Sequence, residues 1–266
     1  MPRSLFEMVT GVRMNEKLIT ERLVERGLKF FKAPRKTNQF TKDPDADDLL
    51  NDIENYPHAF VLACIMDRQI KAERAWLIPY RISKKIGGFS MELLSKLSRE
   101  DVFRLMNEPK PLHRFVDKMA YYFYSAVQRI KNKYNGNAAN IWSDNPSSAE
   151  VVYRFLEFAG VGPKIGSMAA NILAREFKIP FSDYYSIDIS ADVHVRRVLS
   201  RLGLCNVDVT IEQVIYKARA LYPVFPGIMD FPCWEIGRNW CKSNDPACSN
   251  CYMNDLCITA KQTERG

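Results

Sequence analysis

Apolar residues recur along most of the chain at the three- and four-residue spacing of an amphipathic helix, and few segments show the alternation of a strand. The helices that this spacing predicts span residues 15–31, 58–76, 91–106 and 112–134. A polar, basic loop is predicted over residues 33–45, and Asn135–Gly136–Asn137 has the composition of a turn. The pattern therefore predicts an all-α fold.

The segment after this turn predicts two helices joined by a tight glycine hairpin. Ser147 and Glu150 have the spacing of a capping box, which begins a helix. Gly160-Val161-Gly162 then interrupts the helical spacing, and Pro163 suits the first turn of a new helix because proline lacks the N–H that would be unpaired there. The apolar stripe of the second helix comprises Ile165, Met168, Ala169, Ile172 and Leu173.

Two further helix starts follow the hairpin. Asp192 is a strong N-cap residue, and an apolar stripe at helical spacing follows it, so a helix is predicted from Val193. Another helix is predicted near Thr210, with Gln213 three residues further on.

Composition and charge narrow the class of protein. Apolar residues make up 47% of the 266 residues, which is typical of a globular chain, and the longest apolar run, Ala59–Met66, is too short to span a bilayer. Residues 1–7 lack the apolar stretch of a secretory signal, so we expect an intracellular protein of the cytoplasm and nucleoid, or of the nucleus in a eukaryote. The 38 basic against 31 acidic residues favour a polyanionic partner.

The hairpin has residue types suited to phosphate binding and nucleophilic attack, and Asp192 is of a type suited to stabilising positive charge. Gly160, Val161 and Gly162 permit close backbone approach to a phosphate at a helix N-terminus, although an ordinary helix–helix turn has the same pattern. Lys164 is placed where the helix dipole lowers the pKa of an amine, which favours a nucleophile; the alternative is a solvated lysine that contacts phosphate. Asp192, if more than an N-cap, is an ionised carboxylate suited to stabilising a cationic transition state.

Four of the seven cysteines lie within seventeen residues. Cys241, Cys248, Cys251 and Cys257 follow the spacing C-x6-C-x2-C-x5-C. Four thiolates in one short loop are the ligand set of a [4Fe–4S] cluster or of a single Zn²⁺ ion, and the spacing alone does not choose between them.

Taken in order, these motifs resemble the helix-hairpin-helix DNA glycosylase superfamily, and within it the iron–sulfur branch typified by endonuclease III. The matching segments are the hairpin Phe158–Lys164, the acidic segment Ala191–Leu199 and the cysteine loop after Ile236–Trp240, with a weaker match at Asp67-Arg68-Gln69. The resemblance covers roughly residues 58–258. It implies a two-lobed fold with a helical barrel over residues 58–174 and a cluster domain formed by residues 1–57 and 175–266.

The resemblance also implies a role for each matched residue. Lys164 would attack the sugar C1′, Asp192 would assist loss of the base, and Gln69 would fill the gap that a flipped nucleotide leaves. Lys164 would lie on one lobe and Asp192 on the other. Residues expected to contact the DNA backbone are Gly160, Val161, Gly162, Arg196, Arg197 and Lys242. The resemblance implies a [4Fe–4S] cluster rather than zinc on Cys241, Cys248, Cys251 and Cys257.

The function implied is a base-excision repair glycosylase with abasic-site lyase activity, which acts as a monomer on double-stranded DNA that carries a damaged or mismatched base. The alternatives are a monofunctional glycosylase, in which Asp192 activates water, and a non-catalytic DNA-binding module of the same fold. The stretch between Lys164 and Asp192 is longer than is usual in the family, so the excised base does not follow from the resemblance. Residues 61–65 lack the glutamate of the adenine-removing branch, which argues against adenine excision.

Overall fold

The computed structural model describes the backbone of residues 5–263 and the side chains of residues 14–262. The first four residues, which belong to the segment used above to argue against a secretory signal, lie outside this part. The predicted all-α fold is confirmed, and residues 5–263 contain no strand. The α-helices are α1 Leu5–Lys32, α2 Pro44–Asn51, α3 Pro57–Met66, α4 Ala72–Trp76, α5 Ile78–Ile86, α6 Met91–Ser95, α7 Arg99–Asn107, α8 Val116–Lys133, α9 Ser148–Leu156, α10 Pro163–Arg175, α11 Val193–Arg201, α12 Ile211–Leu221, α13 Asp230–Asn239 and α14 Ile258–Thr263.

The chain divides into two compact units, with boundaries that differ from those expected. The hairpin unit comprises residues 34–182, and the cysteine unit combines the chain up to Ala33 with the chain from Asp183 onward. Residues 34–57 and 175–182 therefore belong with the hairpin unit. The reason is aromatic packing: Phe40 stacks on Trp76 at 4.6 Å, and Phe177 meets Phe60 edge-on at 5.2 Å.

The hairpin unit is built around α3, in which every residue is buried. The predicted helix over residues 58–76 is wrong in one respect, because α3 ends at Met66 and the short α4 begins only at Ala72. The intervening turn contains Gln69 with a φ of +52°, in the left-handed region that few residues other than glycine adopt. The sequence did not reveal this break, because a change from apolar to charged residues is also expected for one helix that leaves the core.

Two other predicted segments also differ from the structure. The predicted helix over residues 91–106 is two helices, α6 and α7, because Ser98 and Asp101 form a complete capping box that begins α7. The predicted loop over residues 33–45 ends early, because Asp43 caps α2 and Pro44 occupies the first helical position.

The cysteine unit packs α1 against α13 and the segment before it. Phe30 contacts the ring of Phe231 at 4.5 Å, and Phe31 contacts Phe225 at 5.5 Å. On the same side of α1, Arg26 makes a two-pronged ion pair with Glu235 of α13. Aromatic contacts and a bidentate ion pair thus hold the first helix of the chain to the last long one.

Candidate active site

The hairpin of the sequence analysis is present in the hairpin unit. α9 ends at Leu156, and the N–H of Val161 closes a turn on the carbonyl of Phe158 at 3.0 Å. Gly160 has a φ of +85°, and a Cβ added there would lie 2.5 Å from the ring of Tyr122. Glycine is therefore required at this position by both backbone conformation and space.

The N-terminus of α10 is open. Gly162 occupies the N-cap position and offers no side chain, while Pro163 at the first position has no N–H. The N–H groups of Ile165 and Gly166 bond back to the carbonyl of Gly162, each at 3.0 Å. Within the part of the chain that the structure describes, the N–H groups of Gly162 and Lys164 have no acceptor. Such an end, with the positive pole of the helix behind it, is suited to binding an anion.

Lys164 follows in the first turn of α10, and its side chain is exposed. Among the described residues its ammonium group has no carboxylate within ion-pair distance. The amine is therefore available to a ligand at the hairpin.

Gln69 lies in the same unit, in the turn between α3 and α4, and is exposed. Its neighbour Arg68 donates a hydrogen bond from Nη2 to the carbonyl of Gly160, so this turn is tied directly to the hairpin. The structure thus groups Gln69, Gly160, Val161, Gly162 and Lys164 in one unit. The sequence analysis missed the role of Arg68, since nothing local signals a bond across 92 positions.

Asp192 lies in the cysteine unit and caps α11 as predicted. Its Oδ1 accepts hydrogen bonds from the N–H groups of His194 and Val195, both at 2.8 Å, and its side chain is half-buried. Two charge-assisted bonds and the helix dipole stabilise the negative charge of the carboxylate in a fixed orientation.

The segment that leads to Asp192 is anchored at three points. Arg219 holds Asp188 through two hydrogen bonds of 2.7 and 2.8 Å. The N–H of Ser190 donates to Oδ1 of Asp230 at 2.9 Å, and the N–H of Gly227 donates to the carbonyl of Ile187 at 2.7 Å. The stretch in which the chain departs from the family pattern is therefore well held by α12, α13 and the turn between them.

The three basic residues expected at DNA have different surroundings. Lys242 is exposed, while Arg196 is half-buried with an Nε that has no hydrogen-bond partner among the described residues. Arg197 is occupied within the protein: it donates to the carbonyls of Cys241 and Gly237 and to Nδ1 of His194, at 2.7, 3.1 and 3.0 Å. Its guanidinium therefore links α11 to the start of the cysteine loop.

The four clustered cysteines line a single cavity, together with apolar side chains of Val198, Leu202, Ile236 and Met253. Arg201 approaches Sγ of Cys241 at 3.4 Å and donates to the carbonyls of Lys242 and Ser243 at 2.6 and 2.9 Å. Burial raises the pKa of the Cys251 thiol to about 11. Among the residues described, no group of three or more His, Cys, Asp or Glu side chains is placed to hold a metal ion.

Comparison with known proteins gives a relative and a set of solved structures. The chain is 26% identical over 175 residues to endonuclease III of Thermotoga maritima, which covers 65% of this chain and 70% of that protein. It superposes on a trapped covalent intermediate of endonuclease III with DNA at a TM-score of 0.60, with 18% identity and coverage of 94% and 99%. A thermostable thymine-DNA glycosylase also gives 0.60, with 14% identity and coverage of 94% and 98%. No protein-family model matches the chain.

The superpositions show the fold: the chain has the helical fold of endonuclease III. The resemblance to the endonuclease III-like branch, stated above from three motifs, is confirmed. One of these two solved structures is an endonuclease and the other is a thymine glycosylase, so the fold does not specify the base. No helix in the described part of the chain has the length and apolar character needed to cross a membrane.

Proposed function

We propose that the protein is a base-excision repair DNA glycosylase with abasic-site lyase activity. The observation that carries the proposal is the open end of α10, which combines unpaired N–H groups with the exposed, unpaired amine of Lys164. A phosphate bound at this end would bring a sugar close to a primary amine. The fold and the 26% identity to an endonuclease III support the same assignment.

The proposed chemistry uses the two predicted catalytic residues. The bond between C1′ and the base breaks, and the carboxylate of Asp192 stabilises the positive charge that develops on the sugar. The base leaves with the electron pair of the broken bond and takes a proton from solvent. The neutral Nζ of Lys164 attacks C1′, the C1′–O4′ bond then breaks, and one proton passes from the amine through water to O4′, which leaves a protonated Schiff base with the opened sugar. Loss of a C2′ proton then allows the C3′–O bond to break, and the 3′ phosphate leaves.

Removal of a base also requires that the nucleotide leave the stack, which costs a few kcal/mol. The backbone of Gly160, Val161 and Gly162 would hold a phosphate beside the flipped nucleotide. Gln69 is exposed on a turn with a left-handed backbone, a position from which it would fill the vacated space. Lys242 and Arg196 would contact further phosphates, while Arg197 would hold the loop that carries Lys242.

The cysteine unit would hold a [4Fe–4S] cluster on Cys241, Cys248, Cys251 and Cys257. All four line one cavity with apolar walls, and Arg201 brings a positive charge and an N–H donor to a sulfur, which suits an anionic cluster. The role of the cluster is structural, because four thiolates leave no open position for a substrate. It would hold the loop to which Arg197 and Arg201 attach α11.

The experiment is a base-release assay on labelled duplexes that carry uracil, thymine glycol, hydroxymethyluracil, 8-oxoguanine, hypoxanthine or a G·T mismatch. Alkali treatment reports every abasic site formed, and untreated samples report strand cleavage by the protein itself. We expect release of at least one base together with cleavage in the untreated sample. Release without cleavage would indicate a monofunctional glycosylase, and no release from any duplex would favour a DNA-binding module.

A further inference from the structure

Arg68 connects the two parts of the hairpin unit that would hold the DNA, namely the turn of Gln69 and the glycine hairpin. Its guanidinium donates a hydrogen bond from Nη2 to the carbonyl of Gly160, and its Cζ lies 5.2 Å from the centre of the Tyr122 ring. That ring is the surface against which Gly160 packs. Arg68 therefore contacts the first glycine of the hairpin directly and supports it through Tyr122 as well.

The backbone of Arg68 is held from its other side by His113. Nε2 of His113 lies 3.1 Å from the carbonyl of Arg68, and its Nδ1 accepts from the N–H of Phe115 at 3.1 Å. This pattern fixes the imidazole as the neutral form with its proton on Nε2. His113 is fully buried.

Gln69 is the residue next to Arg68, and its φ of +52° is a conformation that must be imposed by its surroundings. The carbonyl that His113 holds belongs to the peptide unit that joins Arg68 to Gln69. The side chain that holds Gly160 and the backbone that orients Gln69 thus belong to one residue.

Arg68 is also half-buried. Its Nε is shielded from solvent and has no hydrogen-bond partner within the described residues. A donor that is left unpaired in this way is kept only where the other contacts of the side chain hold it in place. The contacts to Gly160 and to the Tyr122 ring are the ones that do so.

We infer that Arg68 is a positioning residue that couples the gap-filling turn of Gln69 to the phosphate-binding hairpin. Because of this coupling, Gln69 and the hairpin would engage one strand as a single unit rather than independently. The inference rests on the proposed function, since it assigns Arg68 a part in binding DNA from which a nucleotide is flipped.

The test compares Arg68→Met with Arg129→Met, each alone and combined with Gln69→Ala. Arg129 is a matched control: its Cζ lies 5.8 Å from the Phe158 ring centre and it pairs with Glu157 just before the hairpin, but it does not bond to Gly160. Affinity is measured with the full chain on a duplex that carries a tetrahydrofuran abasic analogue and on the undamaged duplex. Hydrogen exchange is measured on the free protein.

We expect Arg68→Met to weaken binding to the analogue duplex about tenfold, the factor for loss of one charge-assisted hydrogen bond. Gln69→Ala would add less than about twofold to this loss, but would have its full effect in the Arg129→Met background. Arg68→Lys, which keeps a donor for Gly160, would restore part of the affinity. In the free protein, Arg68→Met alone would accelerate exchange at both residues 67–70 and residues 160–164.

Two results would overturn the inference. One is that the affinity losses caused by Arg68→Met and by Gln69→Ala simply multiply in the double variant. The other is faster exchange in only one of the two segments, or in neither. If the wild-type chain binds the analogue duplex no more tightly than the undamaged one, the proposed function fails, and the exchange measurement still decides whether Arg68 couples the two segments.

Discussion

The N-termini of α10 and α11 are the same local structure used in opposite ways. At α11, Asp192 supplies its own carboxylate to two N–H groups of the first turn. At α10, Gly162 supplies nothing, and the N–H groups of Gly162 and Lys164 have no acceptor in the described part of the chain. One end is thus closed by a negative charge of the protein, and the other is left for a negative charge from outside.

A helix N-terminus thus holds a negative charge of the protein in one place and leaves a site for an anion in the other. A capped end stabilises its helix, typically by about 1 kcal/mol, and fixes the orientation of the capping carboxylate. An open end gives up that stability, and the helix is held instead by its packing against α9 and α3. We therefore assign Asp192 to stabilising positive charge on the sugar. Gly162 is assigned to binding phosphate, and Lys164 to attack on C1′.

The largest effect is expected from removing the charge at the closed end. Asp192→Asn keeps an oxygen that accepts from His194 and Val195, so α11 and DNA binding are retained. Single-turnover base release should slow by about 10²- to 10³-fold, because the stabilising charge is lost. Asp208→Asn is the control, since Asp208 is an exposed carboxylate of the same unit that takes no part in anchoring the segment before Asp192. Equal rates for both variants would remove Asp192 from the mechanism.

The next largest effect is expected from closing the open end. A side chain at Gly162 meets nothing within 4 Å, and the backbone there is extended, so Gly162→Asp would cap α10 as Asp192 caps α11. DNA affinity should fall about a hundredfold, because a fixed carboxylate would repel the phosphate. The free energy of unfolding should stay the same or rise by a few tenths of a kcal/mol.

The neutral variant Gly162→Asn fills the same space and separates charge from bulk. Its loss of affinity, measured in the same titration, should be clearly smaller than that of Gly162→Asp. If both variants bound DNA as the wild type does, the end of α10 would not be the phosphate site.

A third prediction concerns the loop to which α11 is attached. Purified protein should contain iron and acid-labile sulfide in equal amounts, and Cys248→Ser should lose both. DNA affinity should fall roughly tenfold, because the loop that carries Lys242 would lose its fixed position. Cys205→Ser, in the same unit but outside the four-cysteine set, is the control and should retain iron. A Cys248→Ser protein that is fully folded, with unchanged affinity, would contradict a structural cluster.

The smallest effect is expected on the stability of the hairpin unit at acidic pH. Burial lowers the pKa of His58, whose Nε2 bonds to the carbonyl of Phe89. Below about pH 6.5 the unfolded chain binds a proton more readily than the folded chain does, so the free energy of unfolding falls as the pH falls. The urea midpoint from circular dichroism should drop less between pH 7.5 and 5.5 in His58→Gln than in the wild type. An equal drop in His58→Gln and in the wild type would exclude His58 as the cause.

The parts of the fold that were predicted correctly are set by local sequence. The hairpin and the start of α11 depend on Gly160, Gly162, Pro163 and Asp192, residues that determine backbone conformation where they stand. The missed start of α2 was also local, since Asp43 followed by Pro44 is a helix-start signal.

The features that could not be predicted depend on distant contacts. The unit boundary follows from the stacking of Phe40 on Trp76, and the link from Arg68 to Gly160 joins residues 92 positions apart. The break after Met66 comes where an apolar run gives way to a charged segment, and a single helix that emerges from the core has the same pattern. The same reasoning applies to the excised base, because pocket shape depends on side chains brought together by the fold.

The central claim is that Lys164 is the nucleophile, and borohydride trapping on a labelled duplex with an abasic site tests it most directly. We expect a covalent adduct with the wild type and with Lys131→Ala, a control at an exposed lysine of α8. Lys164→Ala should give no adduct while still binding the abasic duplex. An undiminished adduct with Lys164→Ala, or none with the wild type, would contradict the account.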